Sequence, residues 1–224
     1  MESEVAPAML LALNERYLAA GAPGVTDVIR KLGVQVPPKS TVASEYAWKL
    51  SGGGCIVTLW AEEIQVHDSG HWFYVDSLDV DHRRNGDPRG PLQLQRATNR
   101  VAILDNARRR GHECIGLLQT NFRSIDELEQ SEDAKVSRRV KDNEHWYLAI
   151  WDEARNLAVI VRGDRSWAPT PDEIDAALLA QRTRVPGEPA VPDPANQVRV
   201  TFPDQAHRDA VEQASVAFAI QKYE

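Results

Sequence analysis

The stretch CIVTLWAEEIQVHDSGHWFYVDSL, residues 55–78, decides the fold class of this chain. It holds three segments rich in β-branched and aromatic residues, at 55–60, 63–68 and 71–78. Segments of this composition, bounded by turn formers, are typical of β-strands. The DSG turn at 68–70 joins the second segment to the third and predicts a hairpin. We therefore expect a largely antiparallel sheet in the middle of the chain.

Further strands and helices are predicted on either side of this stretch. Helical spacing of apolar residues marks the first fifty residues, residues 92–110 and a last helix that begins with a capping motif at 170–173. The later strands are predicted at 113–120, 134–140, 145–152 and 156–163, the last two as a hairpin. This order predicts an α+β fold: a curved, largely antiparallel sheet of about six strands, with an N-terminal helical segment and a central basic helix.

The C-terminal part of the chain differs in composition from the rest. Residues 184–197, RVPGEPAVPDPANQ, carry four prolines, which is typical of a semi-rigid linker. Beyond it, apolar residues recur at helical spacing up to Glu224 without a stop signal. The expected organisation is a recognition domain at 1–183, a linker at 184–197, and the first strand or helix of a truncated second domain at 198–224.

The overall composition is that of an ordinary globular protein, with 42% hydrophobic and 26% charged residues. The N-terminus lacks the basic segment of a signal peptide, and no stretch of the sequence is long enough to span a bilayer. Cys55 and Cys114 lie among apolar residues, which favours buried thiols over a disulfide framework. These features predict a cytoplasmic protein without a membrane partner.

The net charge of −7 conceals a local asymmetry. Residues 51–80 carry five carboxylates and no lysine or arginine, whereas residues 81–110 carry eight arginines against three aspartates. The planar guanidinium of arginine suits phosphates and base edges better than the point charge of lysine. This basic block therefore favours a nucleic-acid partner despite the acidic total.

The basic residues are candidates for contacts with a DNA backbone. In the helix at 92–110 an apolar stripe is expected to face the core, formed by Leu94, Ala97, Val101 and Leu104. The opposite side is expected to carry Arg96, Arg100 and Arg110. The candidate backbone contacts are Arg83, Arg84, Arg89, Arg96, Arg100, Arg139 and Lys141. The alternative is a solvated helix face and an edge strand protected by charge.

The aromatic residues lie on or beside the predicted strands. Trp72, Tyr74 and Asp76 share one face of their strand by alternation. A pocket with aromatic walls and a carboxylate at its rim suits a flipped nucleobase, because the rings stack on the base and the carboxylate accepts a hydrogen bond from the amino group of the base. The candidate base pocket comprises Tyr46, Trp48, Trp60, Trp72, Tyr74 and Trp151, with Asp76 as the edge reader. The alternative is an aromatic core with an aspartate at a strand end.

Catalytic motifs are not evident in the sequence. It contains no GxSxG elbow, and the glycines at 51–55 precede a strand rather than the helix of a phosphate-binding loop. His67 and His71 have metal-like spacing, but they straddle the predicted hairpin turn and lack a helical HExxH context. We therefore expect no catalytic residue, metal or cofactor in this chain.

Two parts of the chain resemble known families. The block SEYAWKLSGGGCIVTLWAEEIQVHDSGHWFYVDSLD through WYLAIWDEARNLAVIVRG is similar to the N-terminal region of bacterial modification-dependent restriction endonucleases. The segment HRDAVEQASVAFAIQKYE resembles the opening helix of a nuclease-like domain found at the C-terminus of bacterial restriction and defence proteins. The resemblance implies a non-catalytic module that recognises a modified cytosine, 5-methylcytosine favoured, in duplex DNA by base flipping and targets a fused nuclease. The alternative is a protein–protein interaction domain of a bacterial defence protein.

Overall fold

The structure is a computed structural model, and it describes residues 12–13, 15–16, 21, 23–38, 40–83, 86–120 and 139–183. The chain divides into two compact units, Met1–Val191 and Pro192–Glu224, and every described residue belongs to the first unit. Several predicted features lie outside the described residues: Arg84, most of the strand at 134–140, the linker at 184–197 and the segment at 198–224.

The described part of the chain contains three long helical segments and seven strands. The helices are α1 (Val25–Lys31), α2 (Pro91–Arg110) and α3 (Pro171–Thr183). The strands are β1 (Ala47–Lys49), β2 (Cys55–Trp60), β3 (Gln65–Val66), β4 (Trp72–Ser77), β5 (Cys114–Gln119), β6 (Arg139–Asp152) and β7 (Leu157–Arg162). Residues 12–13 and 15–16 are also helical. None of the described helices is long and apolar enough to cross a membrane.

The seven strands form one mixed sheet in the order β1-β2-β5-β6-β7-β4-β3. Among the described strands, β2 and β5 pair in parallel, and every other neighbouring pair is antiparallel. The β3–β4 and β6–β7 hairpins occur where the sequence predicts them. The α+β class is therefore confirmed, with seven strands rather than about six.

Strand β6 is one strand of 14 residues where the sequence predicts two. Its polar residues 141–145 continue the strand because the first half pairs with β5 and the second half with β7. Asp142 is buried in this region and accepts hydrogen bonds from Trp146 Nε1 at 2.9 Å and from Arg162 Nε and Nη2 at 2.6 and 2.8 Å. A bidentate ion pair thus compensates the one carboxylate that the long strand buries.

Helices cover both faces of the sheet. On one face, α2 packs through Leu104 and Ala107 against an aromatic core. On the other face, α1 packs through Ile29 onto β2 and β5, and α3 packs through Ile174 and Ala177 onto β4 and β7. The apolar residues of the central strands are therefore buried on both faces of the sheet, as expected for strands whose sequences are continuous hydrophobic runs.

The buried side of α2 differs from the predicted stripe. The buried residues of α2 are Ala97, Arg100, Leu104 and Ala107. The prediction was wrong for Leu94, which is 36% exposed, and for Arg100, which lies on the core side of the helix. Helical spacing alone cannot identify an inward arginine, because its burial depends on a carboxylate supplied by a distant strand.

The sheet curves strongly around α2. In the sheet order, β4 lies four strand spacings from β2, which corresponds to about 19 Å on a flat sheet. Nevertheless, the single guanidinium of Arg100 hydrogen-bonds to the Thr58 carbonyl on β2 and to the Asp76 carboxylate on β4. Both strands must bend toward the helix to come within reach of one side chain. The predicted curvature is confirmed.

Candidate nucleic-acid interface

Asp76, the predicted edge reader, belongs to a buried ion pair. One carboxylate oxygen accepts hydrogen bonds from Arg100 Nε at 2.9 Å and Nη2 at 2.7 Å, and the other accepts from the Ser77 backbone at 3.1 Å. Arg100 Nη1 donates to the carbonyls of Thr58 at 2.9 Å and Tyr46 at 3.1 Å. In this structure Arg100 ties α2 to the sheet, and neither partner presents its charge to a nucleic acid.

Electrostatic effects keep the Arg100 guanidinium charged. Burial alone lowers the pKa of Arg100, but its interactions with neighbouring groups, Asp76 foremost, together hold that pKa above its ordinary value. The neighbouring phenol of Tyr74 responds differently: burial raises its pKa far above the ordinary value, and the Asp76 charge raises it further. Tyr74 is therefore neutral, and the buried charges beside it are those of Asp76 and Arg100.

Three of the predicted pocket aromatics form part of the core. Trp72 and Tyr74 share one face of β4, as alternation predicts, but each is only 1% exposed and packs under α2. Trp48 is also buried, and its indole Nε1 donates to the Val42 carbonyl at 2.7 Å. The rings of Trp72 and Tyr74 stabilise the fold and do not form the walls of an open pocket, which matches the alternative interpretation of the aromatic pattern.

The three half-buried aromatics do not lie together. Trp151 lies twelve residues along β6 from Arg139, about 40 Å of strand, and the Arg108 guanidinium covers its ring at 4.9 Å. Trp60 occupies the same row of the sheet as Arg139, two strands away. Tyr46 lies close enough to Arg139 to affect its pKa. The structure therefore gathers Tyr46 and Trp60, but not Trp151, near the start of β6.

Arg96 and Arg139 form what we call the arginine pair. Arg139 begins β6, Arg96 lies in the second turn of α2, and both side chains are half-buried. Burial lowers the pKa of Arg139 to about 10; nearby Tyr46 opposes this effect, and the positive charge of Arg96 adds to it. The two guanidinium groups therefore lie close enough to repel each other, and no ion pair joins either of them to a carboxylate among the described residues.

The hydrogen bonds of the arginine pair are incomplete. Arg139 donates from Nη1 to the Ala43 carbonyl at a long 3.4 Å. The buried Nε atoms of Arg96 and Arg139 have no acceptor among the residues that the structure describes. Buried donors without acceptors are costly, so an anion at this position would be stabilised by both charge and hydrogen bonding.

The other predicted basic residues have different environments. Arg89 precedes α2, and its buried Nε also lacks an acceptor within the described ranges. Arg83 donates from Nε to Gln93 Oε1 at 3.2 Å. Lys141 is exposed on β6. No charge effect between two arginines like that of Arg96 on Arg139 is found for these three residues in the described structure.

A shallow groove of about 270 Å³ lies between β1 and α2. Its lining residues are Val34, Glu45, Ala47, Trp48, Lys49, Asn99, Ala102 and Ile103. Asn99 follows Arg96 by three residues and therefore lies on the same side of α2 as the arginine pair. The volume is slightly below the range of about 300–1,000 Å³ found for ligand pockets. The buried ring of Trp48 forms part of the floor of the groove.

Comparisons with known proteins identify no relative of this chain. No family model matches the chain, and neither a curated protein nor a solved structure matches it. The interpretation of the site therefore rests on its geometry and charge. Glu45 and Asn99 were not among the predicted residues, because a single carboxylate and a single amide on separate elements have no pattern in the sequence.

Proposed function

We propose that residues 1–183 form a DNA-binding specificity module that recognises a modified cytosine, with 5-methylcytosine favoured, in duplex DNA. In this proposal the module has no catalytic role of its own and directs a fused nuclease to modified sites. The arginine pair carries the proposal, because two guanidinium groups that have no carboxylate partner among the described residues, and whose buried Nε donors have no acceptor there, suit a phosphate.

The groove supports the part of the proposal that concerns the base. A flipped base entering between β1 and α2 would meet the carboxylate of Glu45 and the amide of Asn99. These groups can form hydrogen bonds with the amino group and the ring nitrogen of the base. Ala102 and Ile103 supply apolar contact for a 5-methyl group. The adjacent Arg96 would hold a flanking phosphate. This arrangement replaces the predicted roles of Asp76, Trp72 and Tyr74 and keeps Trp48 as part of the base site.

Fluorescence anisotropy with the full chain tests the proposal. Matched duplexes containing cytosine, 5-methylcytosine or 5-hydroxymethylcytosine are titrated at several salt concentrations. We expect tighter binding to one modified duplex and an affinity that falls as salt rises, because phosphate contacts release counterions. Replacing Arg96 or Arg139 with glutamine should reduce the slope of log affinity against log salt by about 0.9 each.

Two variants separate backbone contacts from base recognition. Arg155→Gln removes an exposed arginine on the β6–β7 turn, at the other end of β6 from Arg139, and should leave affinity unchanged. Asn99→Ala should reduce the preference for the modified duplex by about 1–3 kcal/mol while keeping the salt slope. Absence of binding to every duplex at low salt would refute the DNA proposal.

A protein–protein interaction domain is the second candidate function. Leu92 and Leu94, at the start of α2, are 52% and 36% exposed, and large exposed apolar residues can anchor a partner. Such binding would depend on Leu92 and change little with salt. The salt series above therefore distinguishes the two functions.

A further inference from the structure

A second cluster of polar side chains lies in the turn of the β3–β4 hairpin. His67 and His71 flank the turn and are joined by a backbone hydrogen bond from His67 N to His71 O at 2.8 Å. The hydroxyl of Ser69 lies 2.5 Å from His67 Nδ1 and 2.7 Å from His71 Nδ1. The inner nitrogens of both rings therefore point at one position, and they are no more than about 5 Å apart.

Carboxylates hold the outer nitrogens of the two rings. His67 Nε2 lies 2.9 Å from Glu173 Oε1, and His71 Nε2 lies 3.5 Å from Asp164 Oδ2. Each carboxylate favours a proton on the facing Nε2, which leaves Nδ1 as an acceptor. The backbone N–H of Ser69 also donates to His67 Nδ1 at 3.0 Å, consistent with this tautomer.

Neighbouring groups fix the orientation of this cluster. The ring of Trp167 stacks on His71 with centroids 4.7 Å apart and planes 4° apart, and lies 5.4 Å from His67. Glu173 Oε2 also accepts from the Thr170 backbone at 2.7 Å, so its position is set by the cap of α3. The imidazoles remain accessible, since the side chains of His67 and His71 are 31% and 29% exposed.

Ser69 supplies the donors for the inner nitrogens of both rings. With Nε2 protonated on both rings, the Ser69 backbone N–H donates to His67 Nδ1, and the Ser69 hydroxyl can donate its one hydrogen to His71 Nδ1. A metal ion between the rings would replace these two donors. Imidazole nitrogens suit zinc, copper and nickel, and metal-bound histidines commonly donate their second N–H to a carboxylate.

We propose that His67 and His71 bind one divalent transition-metal ion through their Nδ1 atoms. Glu173 and Asp164 act as supporting carboxylates, the ion takes the position that the Ser69 hydroxyl holds between the rings, and water completes the coordination. The described residues contain no group of three histidine, cysteine or acidic side chains placed to hold a metal, and the proposed site has only two protein ligands. The hairpin, rather than a helix, brings the HxxxH pair together.

Isothermal titration calorimetry with the full chain tests this site, with Zn²⁺, Ni²⁺ or Mg²⁺ as the titrant after treatment with a chelator. We expect one Zn²⁺ or Ni²⁺ ion per chain and no binding of Mg²⁺, which prefers oxygen ligands. His67→Asn and His71→Asn should each weaken binding at least about tenfold. His82→Asn is the matched control, because His82 also contacts a carboxylate, Asp79, but has no second imidazole beside it in the described structure.

Two further measurements separate ligation from a structural role. Glu173→Gln keeps a capping side chain and should weaken metal binding about 10–100-fold; unchanged affinity would refute the supporting role of this carboxylate. Electron paramagnetic resonance of bound Cu²⁺ should show coupling to two imidazole nitrogens in the parent chain and one in His71→Asn. Ion binding that survives both histidine substitutions, or no binding by the parent chain, would overturn the proposal. Neither result bears on the DNA-binding proposal, whose residues lie on other elements.

Discussion

Replacing Asp76 with alanine should destabilise the domain severely. The substitution removes the acceptor of two Arg100 hydrogen bonds, at 2.9 and 2.7 Å, and leaves a guanidinium buried without a counter-charge. Each charge-assisted hydrogen bond contributes about 1.5–3 kcal/mol, and breaking one partner of a buried pair costs about 3–5 kcal/mol. We therefore expect the free energy of unfolding to fall by about 4 kcal/mol.

Urea denaturation followed by circular dichroism measures this loss. With an m value of about 2 kcal/mol/M, a loss of about 4 kcal/mol lowers the urea midpoint by about 2 M. Asp105→Ala is the matched control, because Asp105 also pairs with arginines of α2 but near the surface. That variant should lose no more than about 1 kcal/mol.

A double substitution separates the unpaired charge from the lost packing. Asp76→Leu combined with Arg100→Met replaces the ion pair by apolar side chains and should recover most of the stability that Asp76→Ala loses. A midpoint shift below about 0.5 M for Asp76→Ala would refute the argument. If that variant instead remained stable and lost its preference for a modified duplex, Asp76 would regain the base-reading role predicted from the sequence.

Two further predictions concern the packing of β6. Burial raises the pKa of Asp142, but the ion pair with Arg162 outweighs burial and holds that pKa below its ordinary value. The pair therefore stabilises the fold above about pH 4, and this stabilisation is lost as the pH falls through the folded pKa. In urea titrations of Asp142→Asn, the free energy of unfolding should decrease less steeply below about pH 4 than in the parent chain; an unchanged pH dependence would contradict this. Gly116→Ala places a Cβ 2.6 Å from Trp146 Nε1 and should cost about 1–3 kcal/mol, seen as a lower melting temperature; an unchanged melting temperature would show that the indole can move.

Elements specified by local patterns were predictable from the sequence. The DSG hairpin, the helix at 92–110 and the strand at 157–162 depend on turn chemistry and on periodicity within about twenty residues. Strand β1 was missed because three residues are too few to show a period. Strand β6 was divided in two because its polar middle resembles a loop unless the partner of Asp142 is known.

The candidate site was only partly predictable. Arginine enrichment drew attention to α2 and to Arg139, but the sequence could not show which arginines have counter-charges. Arg100 has one in Asp76, 24 residues away, whereas Arg96 and Arg139 have none within the described residues. Likewise, alternation placed Trp72 and Tyr74 on one face of a strand without showing that α2 covers that face.

The sequence by itself determined the fold class, the hairpins, the helix boundaries and the concentration of arginine in the middle of the chain. These properties depend on short-range backbone preferences and on composition, which the order of residues records directly. Only the tertiary structure decided which charges are paired, which aromatic rings are buried and which histidines face each other. Those outcomes depend on the curvature of the sheet and on contacts between residues far apart in sequence. The neighbours of a charge or an aromatic ring in space decide whether it is buried and paired, and so whether its role is structural or functional.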